Sequence, residues 1–245
     1  MRNIWTIAKK EYAGLFHSPI AYVVGVVVFL VMGIFFSYDL NAAITYQYTP
    51  DFTYELDILI FPLIFLAIPI LTMKTFSEEN KSGTLELLLT APVKDHELVI
   101  GKWLGTFLFF LSLILLTWFY PLVLNAIIDP GIDQPKILAN YLGVTLMASA
   151  MTAIGIYISS LFKNTIAALM ASLGTLLVFW LISAPAQFFP GTVAADVFTN
   201  LSITQHYYNS FRAGMVDLLD VSYYVSLTLL ALFLGTRSIE SKRWR

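Results

Sequence analysis

Residues 137–162 read ILANYLGVTLMASAMTAIGIYISSLF, an apolar run of 26 residues that contains no Asp, Glu, Lys, Arg or His. A helix needs roughly 17–25 apolar residues to cross the hydrocarbon core of a bilayer. The run therefore predicts a membrane-spanning helix that is long enough to tilt or to project into water.

Five more segments reach or nearly reach this length, so the sequence predicts six membrane-spanning helices. The predicted fold class is an all-α polytopic membrane protein, because helices satisfy their backbone hydrogen bonds internally. The second span is short and contains Pro62 and Pro69. These prolines indicate either static kinks or a helix that bends during transport. The predicted spans are Ile20–Tyr38, Ile58–Met73, Trp103–Ile128, Ile137–Phe162, Thr165–Ala184 and Leu218–Gly235.

The composition of the 245-residue chain agrees with a membrane location. Hydrophobic residues make up 58% and charged residues 12%, and the mean hydropathy is +0.76. A soluble domain carries about twice that share of charge. The net charge of −2 gives no reason to expect a nucleic-acid partner. Cysteine is absent, which excludes disulfides, thiolate metal ligands and cysteine nucleophiles.

Basic residues are unevenly divided between the two sides of the predicted spans. One side holds 12 of the 14 Lys and Arg residues, and the other holds only Lys136 and Arg212. The positive-inside rule then places both termini in the cytoplasm, as an even number of spans requires, and makes the chain a multi-pass protein of the plasma (inner) membrane. The 12 basic residues are Arg2, Lys9, Lys10, Lys74, Lys81, Lys94, Lys102, Lys163, Arg237, Lys242, Arg243 and Arg245.

Residues 1–17 are too polar to span the membrane, but they have an amphipathic pattern. At 100° per residue their apolar side chains fall on an arc of roughly 120°, and the basic residues lie on the other face. This pattern predicts an interfacial helix on the cytoplasmic surface, with a frayed tail as the alternative. The apolar arc consists of Ile4, Trp5, Ala8, Tyr12, Leu15 and Phe16.

The sequence contains no recognisable motif for ion coupling, ATP binding or catalysis. The cores of the predicted spans have no ionisable residue, whereas proton- and ion-coupled carriers usually need one at that depth. The Gly101-Lys102 pair lacks the upstream glycine of a P-loop, and Ile100 replaces the second histidine of the H-E-x-x-H motif that starts at His96. No catalytic, cofactor-binding or metal-binding residues are therefore predicted.

Small residues recur at intervals of four in the fourth and fifth predicted spans. This spacing allows helix backbones to approach closely. It indicates either ordinary packing inside one bundle, or a dimer interface or translocation surface. The series are Ser149 and Ala153, Gly155 and Ser159, and Ala167, Ala171 and Thr175.

One long cytoplasmic loop, residues 74–102, joins the second and third spans. Its polar part, Ser77–Gly83, is followed by Thr84–Leu89, a short apolar run that predicts a helix ended by Pro92. Four leucines in six residues would form an exposed apolar patch unless something covers them. Lipid headgroups, the protein's own helices or a partner's groove could do so, and the last two explain the leucines equally well.

Residues 73–105, MKTFSEENKSGTLELLLTAPVKDHELVIGKWLG, resemble the cytoplasmic loop of ATP-binding-cassette exporter permeases of the type-2 (type V exporter) family. In that family, acidic residues, the pattern G-T-L-E-x-L-L, a proline and a G-K pair follow one another before the third span. The resemblance extends over essentially the whole chain. It is carried in this loop by Glu78, Glu79, Gly83, Thr84, Leu85, Glu86, Leu87, Leu88, Leu89, Pro92, Gly101 and Lys102.

The resemblance implies a partner-driven transporter. Two permease chains, identical or homologous, would form the pore, and each would dock on a separate cytoplasmic ATPase subunit. The helix near Thr84–Leu89 would be the coupling helix in the ATPase groove, so the twelve residues just named become the predicted ATPase-coupling site. ATP-driven closure of the ATPase pair would rotate the cytoplasmic ends of the helices, and the second and fifth spans would be the main pore helices.

The resemblance also extends to the C-terminal part of the chain. Residues 206–245, with Phe211–Gly214 and Arg237–Glu240, are similar to the subgroup related to gliding-motility and copper-enzyme-maturation permeases. Residues 185–217 would fold as short re-entrant helices that cap the outer side. Their aromatic side chains fit equally well a loop held on the bilayer surface. The whole chain, residues 1–245, would be a single permease domain.

Two other classes of function are open to such a sequence. A non-transporting membrane anchor that recruits cytoplasmic partners would need the same loop as a permease. An intramembrane enzyme would need polar catalytic groups that face each other in the bilayer, where only Ser, Thr, Asn and Tyr are available. Substrate-stimulated ATP hydrolysis in the assembled complex separates a transporter from an anchor.

Overall fold

The computed structural model describes residues 2–48, 50–90, 92–129 and 131–243, with the backbone alone at residues 61, 62, 64, 65, 87 and 89. Within these ranges the regular structure is helical, and no strand is present. Short π and 3-10 segments interrupt or connect the helices at Leu63–Ala67, Ala184–Phe188 and Phe211–Ala213. The α-helices are α1 (Arg2–Phe16), α2 (Pro19–Tyr46), α3 (Thr53–Pro62), α4 (Ile68–Thr72), α5 (Lys74–Ser82), α6 (Thr84–Thr90), α7 (Asp95–Leu116), α8 (Phe119–Ile127), α9 (Gln134–Leu161), α10 (Thr165–Leu181), α11 (Val193–Leu201), α12 (Ile203–Asn209) and α13 (Leu218–Arg243).

Five helical segments of the described chain are long and apolar enough to cross a membrane. They are α2, α7 with α8, α9, α10 with the 3-10 turn that follows it, and α13. These segments coincide with the first, third, fourth, fifth and sixth predicted spans, which confirms the all-α polytopic class.

The predicted second span is not one continuous helix. It is built from the end of α3, the π turn Leu63–Ala67 and α4, in which Pro69 stands near the first position. Proline cannot donate a hydrogen bond to the preceding turn, and a π turn is one way in which a helix absorbs such a defect. The side chain of Pro62 lies outside the described residues. A total of six spans therefore stays a prediction, and the helices support five to six.

Helix α9 is the centre of the bundle. It packs against α4, α5, α7, α10 and α13. In its most apolar stretch, 72% of α9 is buried, against 28% for α2 and 17% for the segment that includes α10. Close approach at small residues allows this packing: a Cβ added at Gly155 would collide with the Thr72 side chain of α4. The small-residue spacing thus serves packing inside the bundle at this position.

Both described ends of the chain meet the same end of the bundle. Asn3 of α1 donates to the Glu97 carboxylate at 3.0 Å, and Arg243 of α13 lies 3.5 Å from Asp95. Both carboxylates belong to the first turn of α7. We call this end the terminal end, and the other the opposite end.

The opposite end carries both basic residues that the charge pattern assigns to the outer side. Lys136 pairs with Asp51 at 2.6 Å, and Arg212 pairs with Asp57 at 2.7 Å. Their position away from the terminal end agrees with the predicted topology. The assignment of the terminal end to the cytoplasm stays a prediction.

The segment between α10 and α13 folds as short helices against the opposite end. Tyr207 and Phe211 are fully buried there. Asn140 of α9 accepts from the Tyr207 hydroxyl at 2.9 Å and donates to the Phe211 carbonyl at 2.9 Å. A polar side chain within a predicted span is therefore satisfied by this capping segment. Its re-entrant position relative to the bilayer stays a prediction.

Candidate functional site

The predicted coupling loop folds as two short helices, α5 and α6, joined by a single residue. Gly83 ends α5 with a positive φ of 73°, in the left-handed region that favours glycine. Helix α6 begins at the next residue and ends at Thr90, close to the predicted bounds. Pro92 is exposed in the bend that follows. The glycine and the proline thus define the ends of the helix on which the family resemblance centres.

The side chains of α6 are divided between the bundle and solvent. Leu85 is 3% exposed and belongs to the hydrophobic core of the bundle. Thr84 and Glu86 are exposed, and Leu88 is half-buried. Leu87 and Leu89 have side chains that lie outside the described residues. For Leu85 the protein's own helices provide the cover, whereas the other face of α6 is exposed.

The two neighbouring glutamates of α5 point in different directions. Glu78 is exposed, whereas Glu79 is half-buried and its Oε1 lies 2.8 Å from Lys102 Nζ. Consecutive helical residues differ by about 100° around the axis, so one faces solvent while the other faces α7. Only Glu79 is therefore part of the internal contacts of the site.

Lys102 of α7 is a buried cation that joins three elements. It is 5% exposed, and its ammonium donates to Glu79 Oε1 at 2.8 Å, to the Thr75 carbonyl at 2.9 Å and to Glu11 Oε2 at 3.4 Å. It also lies 5.1 Å from the ring centroid of Phe76. A buried charge is tolerated only when its donors are paired. Lys102 thereby ties α7 to α1 and α5.

Helix α1 crosses α7 at two glycines that are four residues apart. A Cβ at Gly101 would lie 2.7 Å from the Ile7 Cβ, and one at Gly105 would lie 2.5 Å from the Ala8 carbonyl oxygen. Sequence reasoning recognised Gly101 only as part of a G-K pair and missed Gly105. The signal was present, because a G-x-x-x-G spacing allows the close approach of two helices.

The apolar side chains predicted for α1 lie in two different environments. Ala8 is fully buried against α7, and Phe16 contacts the Phe109 ring edge-on at 5.1 Å between centroids. Trp5, by contrast, is 59% exposed. An exposed tryptophan on such a helix is suited to a membrane–water interface.

A serine of α9 fixes the junction between α4 and α5. Ser159 Oγ accepts from the backbone N–H groups of Phe76 and Ser77, both at 3.1 Å. The same hydroxyl donates to the Met73 carbonyl at 2.8 Å. Sequence reasoning had found Ser159 only as a small residue. Its role in joining the loop to the central helix depends on a tertiary contact that no local pattern reveals.

Together, α1, α5, α6 and the first turns of α7 form a linked platform at the terminal end. Lys102 and Ser159 connect this platform to α7 and α9, the helices that continue through the bundle. Within the described residues, no group of three or more His, Asp or Glu side chains is arranged to hold a metal ion.

The fold and the platform define a polytopic helical membrane protein with an ordered helical surface at one end. The chain belongs to the ABC-2 family, since the model of the ABC-2 family transporter protein matches residues 5–236. This match confirms the resemblance seen in residues 73–105. A comparison with curated proteins finds no match. Members of the family are membrane subunits, generally non-enzymatic, and the family implies an ATPase partner and a bilayer. The narrower resemblance to gliding-motility and copper-enzyme-maturation permeases stays a prediction.

Proposed function

We propose that this chain is the permease subunit of an ATP-binding-cassette exporter, and that it forms the translocation path as a dimer driven by a separate ATPase subunit. In this assignment the terminal end faces the cytoplasm and the chain resides in the plasma (inner) membrane. The observation that supports it best is the platform, in which α6, a short helix with an exposed face, follows directly on α5, and a buried ion cluster ties α5 to α7.

The docking surface of this proposal is the exposed face of α6 and the adjoining part of α5. Glu78, Thr84 and Glu86 are exposed, and Leu88 is half-buried beside them. Leu85 anchors α6 from the other face. A short helix that is fixed on one side and free on the other is suited to a groove in a partner.

The platform also gives a route for force. A displacement of α6 would reach α5 directly, because the two helices are joined at Gly83 and pack together. The Glu79–Lys102 ion pair would pass it to α7, and Ser159 would pass it to α9. ATP-driven movement of the partner would thus act on two helices of the bundle at once.

Copurification with the cognate ATP-binding-cassette ATPase tests the docking surface. The Glu86→Lys, Leu88→Asp double variant should lose the ATPase while it still inserts into the membrane. Lys9→Glu is the control, because Lys9 is exposed on α1 at the same end. Full recovery of the ATPase with the double variant would overturn the docking assignment.

Measurements on the reconstituted complex test the proposed dimer and the proposed transport activity. Native mass spectrometry should find two permease chains, identical or homologous, with two ATPase subunits. Substrate should stimulate ATP hydrolysis by this complex, whereas a complex built on a non-transporting anchor should show no stimulation. The family does not favour the anchor.

A further inference from the structure

A cavity of about 430 Å³ opens beside the platform, between α1, the start of α2, and α4 with α5. Its apolar side includes Leu15 and Ile20, and Ser18 lies between them at the turn from α1 into α2. The cavity thus lies where the first two predicted spans leave the membrane. A molecule bound there would contact both the hydrocarbon edge and water.

The wall formed by α4 and α5 changes character in steps. The backbone stays helical through Met73, with φ −54° and ψ −35°, so residues four apart share one face. Apolar side chains come first, then a cation and a hydroxyl, then two carboxylates. The two rows are Ile70, Lys74 and Glu78, and Leu71, Thr75 and Glu79.

In the deepest part of this wall, the carboxylates outnumber the cations by one. Lys102 contributes one positive charge against the two negative charges of Glu11 and Glu79. Among the described residues, the buried Oε2 of Glu79 and the buried Oγ1 of Thr75 have no hydrogen-bond partner. Thr75 is only 4% exposed. A buried carboxylate oxygen without a donor is costly, so the arrangement favours a cationic N–H donor.

The rim of the cavity has the opposite charge. Lys10 of α1 and Lys74 of α5 line it and are exposed, and Glu78 is exposed beside them. With the three deeper charges, the cavity has three cations and three anions. A purely anionic ligand gains little from such a site, whereas a zwitterion can pair with both parts.

We propose that this cavity binds a zwitterionic phosphate ester with a primary ammonium group, the headgroup of a phosphatidylethanolamine-type lipid. The ammonium donates to the Glu79 carboxylate once Oε2, which is buried in the unliganded chain, turns toward the cavity, and Glu78 adds a second negative charge. The phosphate lies between Lys10 and Lys74. The acyl chains leave along the apolar side. The order apolar, basic, acidic along α4 and α5 is the order of acyl chain, phosphate and ammonium in such a lipid.

The same geometry discriminates against other common headgroups. A quaternary ammonium has no N–H to donate, so a phosphatidylcholine headgroup leaves Glu79 Oε2 unpaired. A phosphatidylglycerol headgroup carries no cation. One additional charge-assisted hydrogen bond should give the primary ammonium a roughly tenfold or greater preference. Lipid binding at this cavity requires only that the chain lies in a membrane, so it does not depend on the proposed ATPase.

Lipid retention by the purified full-length chain tests the proposal. The chain is extracted from nanodiscs that contain phosphatidylethanolamine, phosphatidylcholine and phosphatidylglycerol in equal parts, and retained lipid is counted by native mass spectrometry. Phosphatidylethanolamine should be retained in roughly tenfold excess over each of the other two lipids. Equal retention of the three lipids would overturn the site.

Rim variants separate this site from general lipid contact. The Lys10→Gln, Lys74→Gln double variant should lose the excess without disturbing the Lys102 cluster. Lys9→Gln, on the same helix but outside the cavity, should keep it. Glu79→Gln should lower the preference over phosphatidylcholine in particular. An unchanged excess in both cavity variants would overturn the proposal.

Free phosphoethanolamine distinguishes the two sources of this chemistry. If millimolar phosphoethanolamine displaces the retained lipid, the headgroup alone is sufficient and the proposal stands. If the lipid is retained and not displaced, the site still stands and the acyl chains contribute. If phosphatidylethanolamine shows no excess and phosphoethanolamine does not stabilise the protein against heat, the proposal fails. Loss of ATPase copurification in the α6 variant is a separate result, so the two assignments fail independently.

Discussion

The two ends of the bundle are held together by different means. At the terminal end, Lys102 is 5% exposed and connects α1, α5 and α7. At the opposite end, the Arg212–Asp57 and Lys136–Asp51 pairs leave one side chain 47% and 60% exposed, respectively. Exposed ion pairs contribute little to stability, whereas breaking a buried cluster is costly. The capping segment at the opposite end depends on buried aromatic rings, on Asn140 and on the Asp220 carboxylate, which is 8% exposed and contacts His206 and Ser210.

This difference fits the division of labour in the proposed permease. A surface that receives force from a partner needs stiff connections to the spans, and a buried ion cluster provides directional ones. A surface that closes the far end needs good packing more than force transmission. The following variants test whether the two ends differ as described.

The largest effect is expected when the buried cation is removed. Lys102→Met leaves Glu11 and Glu79 without their shared partner, and should lower the free energy of unfolding by about 3–5 kcal/mol. The matched variant at the opposite end, Lys136→Met, should cost no more than about 1 kcal/mol. Thermal unfolding in detergent, followed by size-exclusion chromatography, measures both. Equal losses would refute the contrast between the ends.

A buried carboxyl at the opposite end should make stability depend on pH. Glu55 precedes the second predicted span and is 1% exposed. Burial first, and then the nearby Asp39, raise the pKa of this carboxyl to about 8. The folded chain therefore holds a proton that the unfolded chain releases near pH 4.5. The contribution of Glu55 to stability is greatest below that pH and falls as the pH rises toward 8.

The expected loss between pH 5 and pH 7 is about 2–3 kcal/mol, at about 1.4 kcal/mol for each pH unit. Glu55→Gln stays neutral at every pH and should remove this slope, which a series of unfolding temperatures from pH 5 to pH 9 would measure. Among the charged residues, Asp39 raises the pKa of Glu55 most, and it also accepts a hydrogen bond from Tyr48. An equally steep slope in the variant would assign the titration to another group.

A methyl group at the helix crossing should loosen the platform. Gly105→Ala places its Cβ 2.5 Å from the Ala8 carbonyl oxygen, so α1 must move, at a cost of about 1–3 kcal/mol. Gly174→Ala is the control, because nothing lies within 4 Å of its added Cβ. Faster trypsin cleavage after Lys9 or Lys10 in the Gly105 variant alone would report the release of α1. Identical cleavage of both variants would contradict the crossing.

Local patterns predicted much of this molecule. Apolar runs located the five helical segments that are long enough to cross a membrane, and the leucine-rich run between a glycine and a proline located α6 within about one residue. These features follow from hydrophobicity and backbone preference, both of which act over a few neighbouring residues. Even the separation of Glu78 from Glu79 follows from helix geometry once the helix is known.

Contacts between residues that are far apart in the sequence could not be predicted from such patterns. The resemblance placed Lys102 in the ATPase-coupling site, but it did not indicate that the side chain is buried against Glu11, which is 91 residues away in the sequence. Lysine is usually solvated, so its burial depends on partners that only the folded chain brings together. Asn140 is similar, because its partners lie 67 and 71 residues later. Gly105 differs, since its spacing from Gly101 could have been recognised.

The smallest effect is expected from one hydroxyl at the opposite end. Tyr207→Phe removes the donor to Asn140 Oδ1 and leaves that buried oxygen unpaired, at a cost of about 1 kcal/mol. Tyr208→Phe is the matched control, because Tyr208 is 39% exposed on the same helix. Since the ring of residue 207 stays buried, the capping segment should remain packed and only the unfolding temperature should fall slightly. A loss as large as that of Lys102→Met would mean that the hydrogen bonds of Asn140 stabilise the opposite end as strongly as the Lys102 cluster stabilises the terminal end, and the contrast between the two ends would no longer hold.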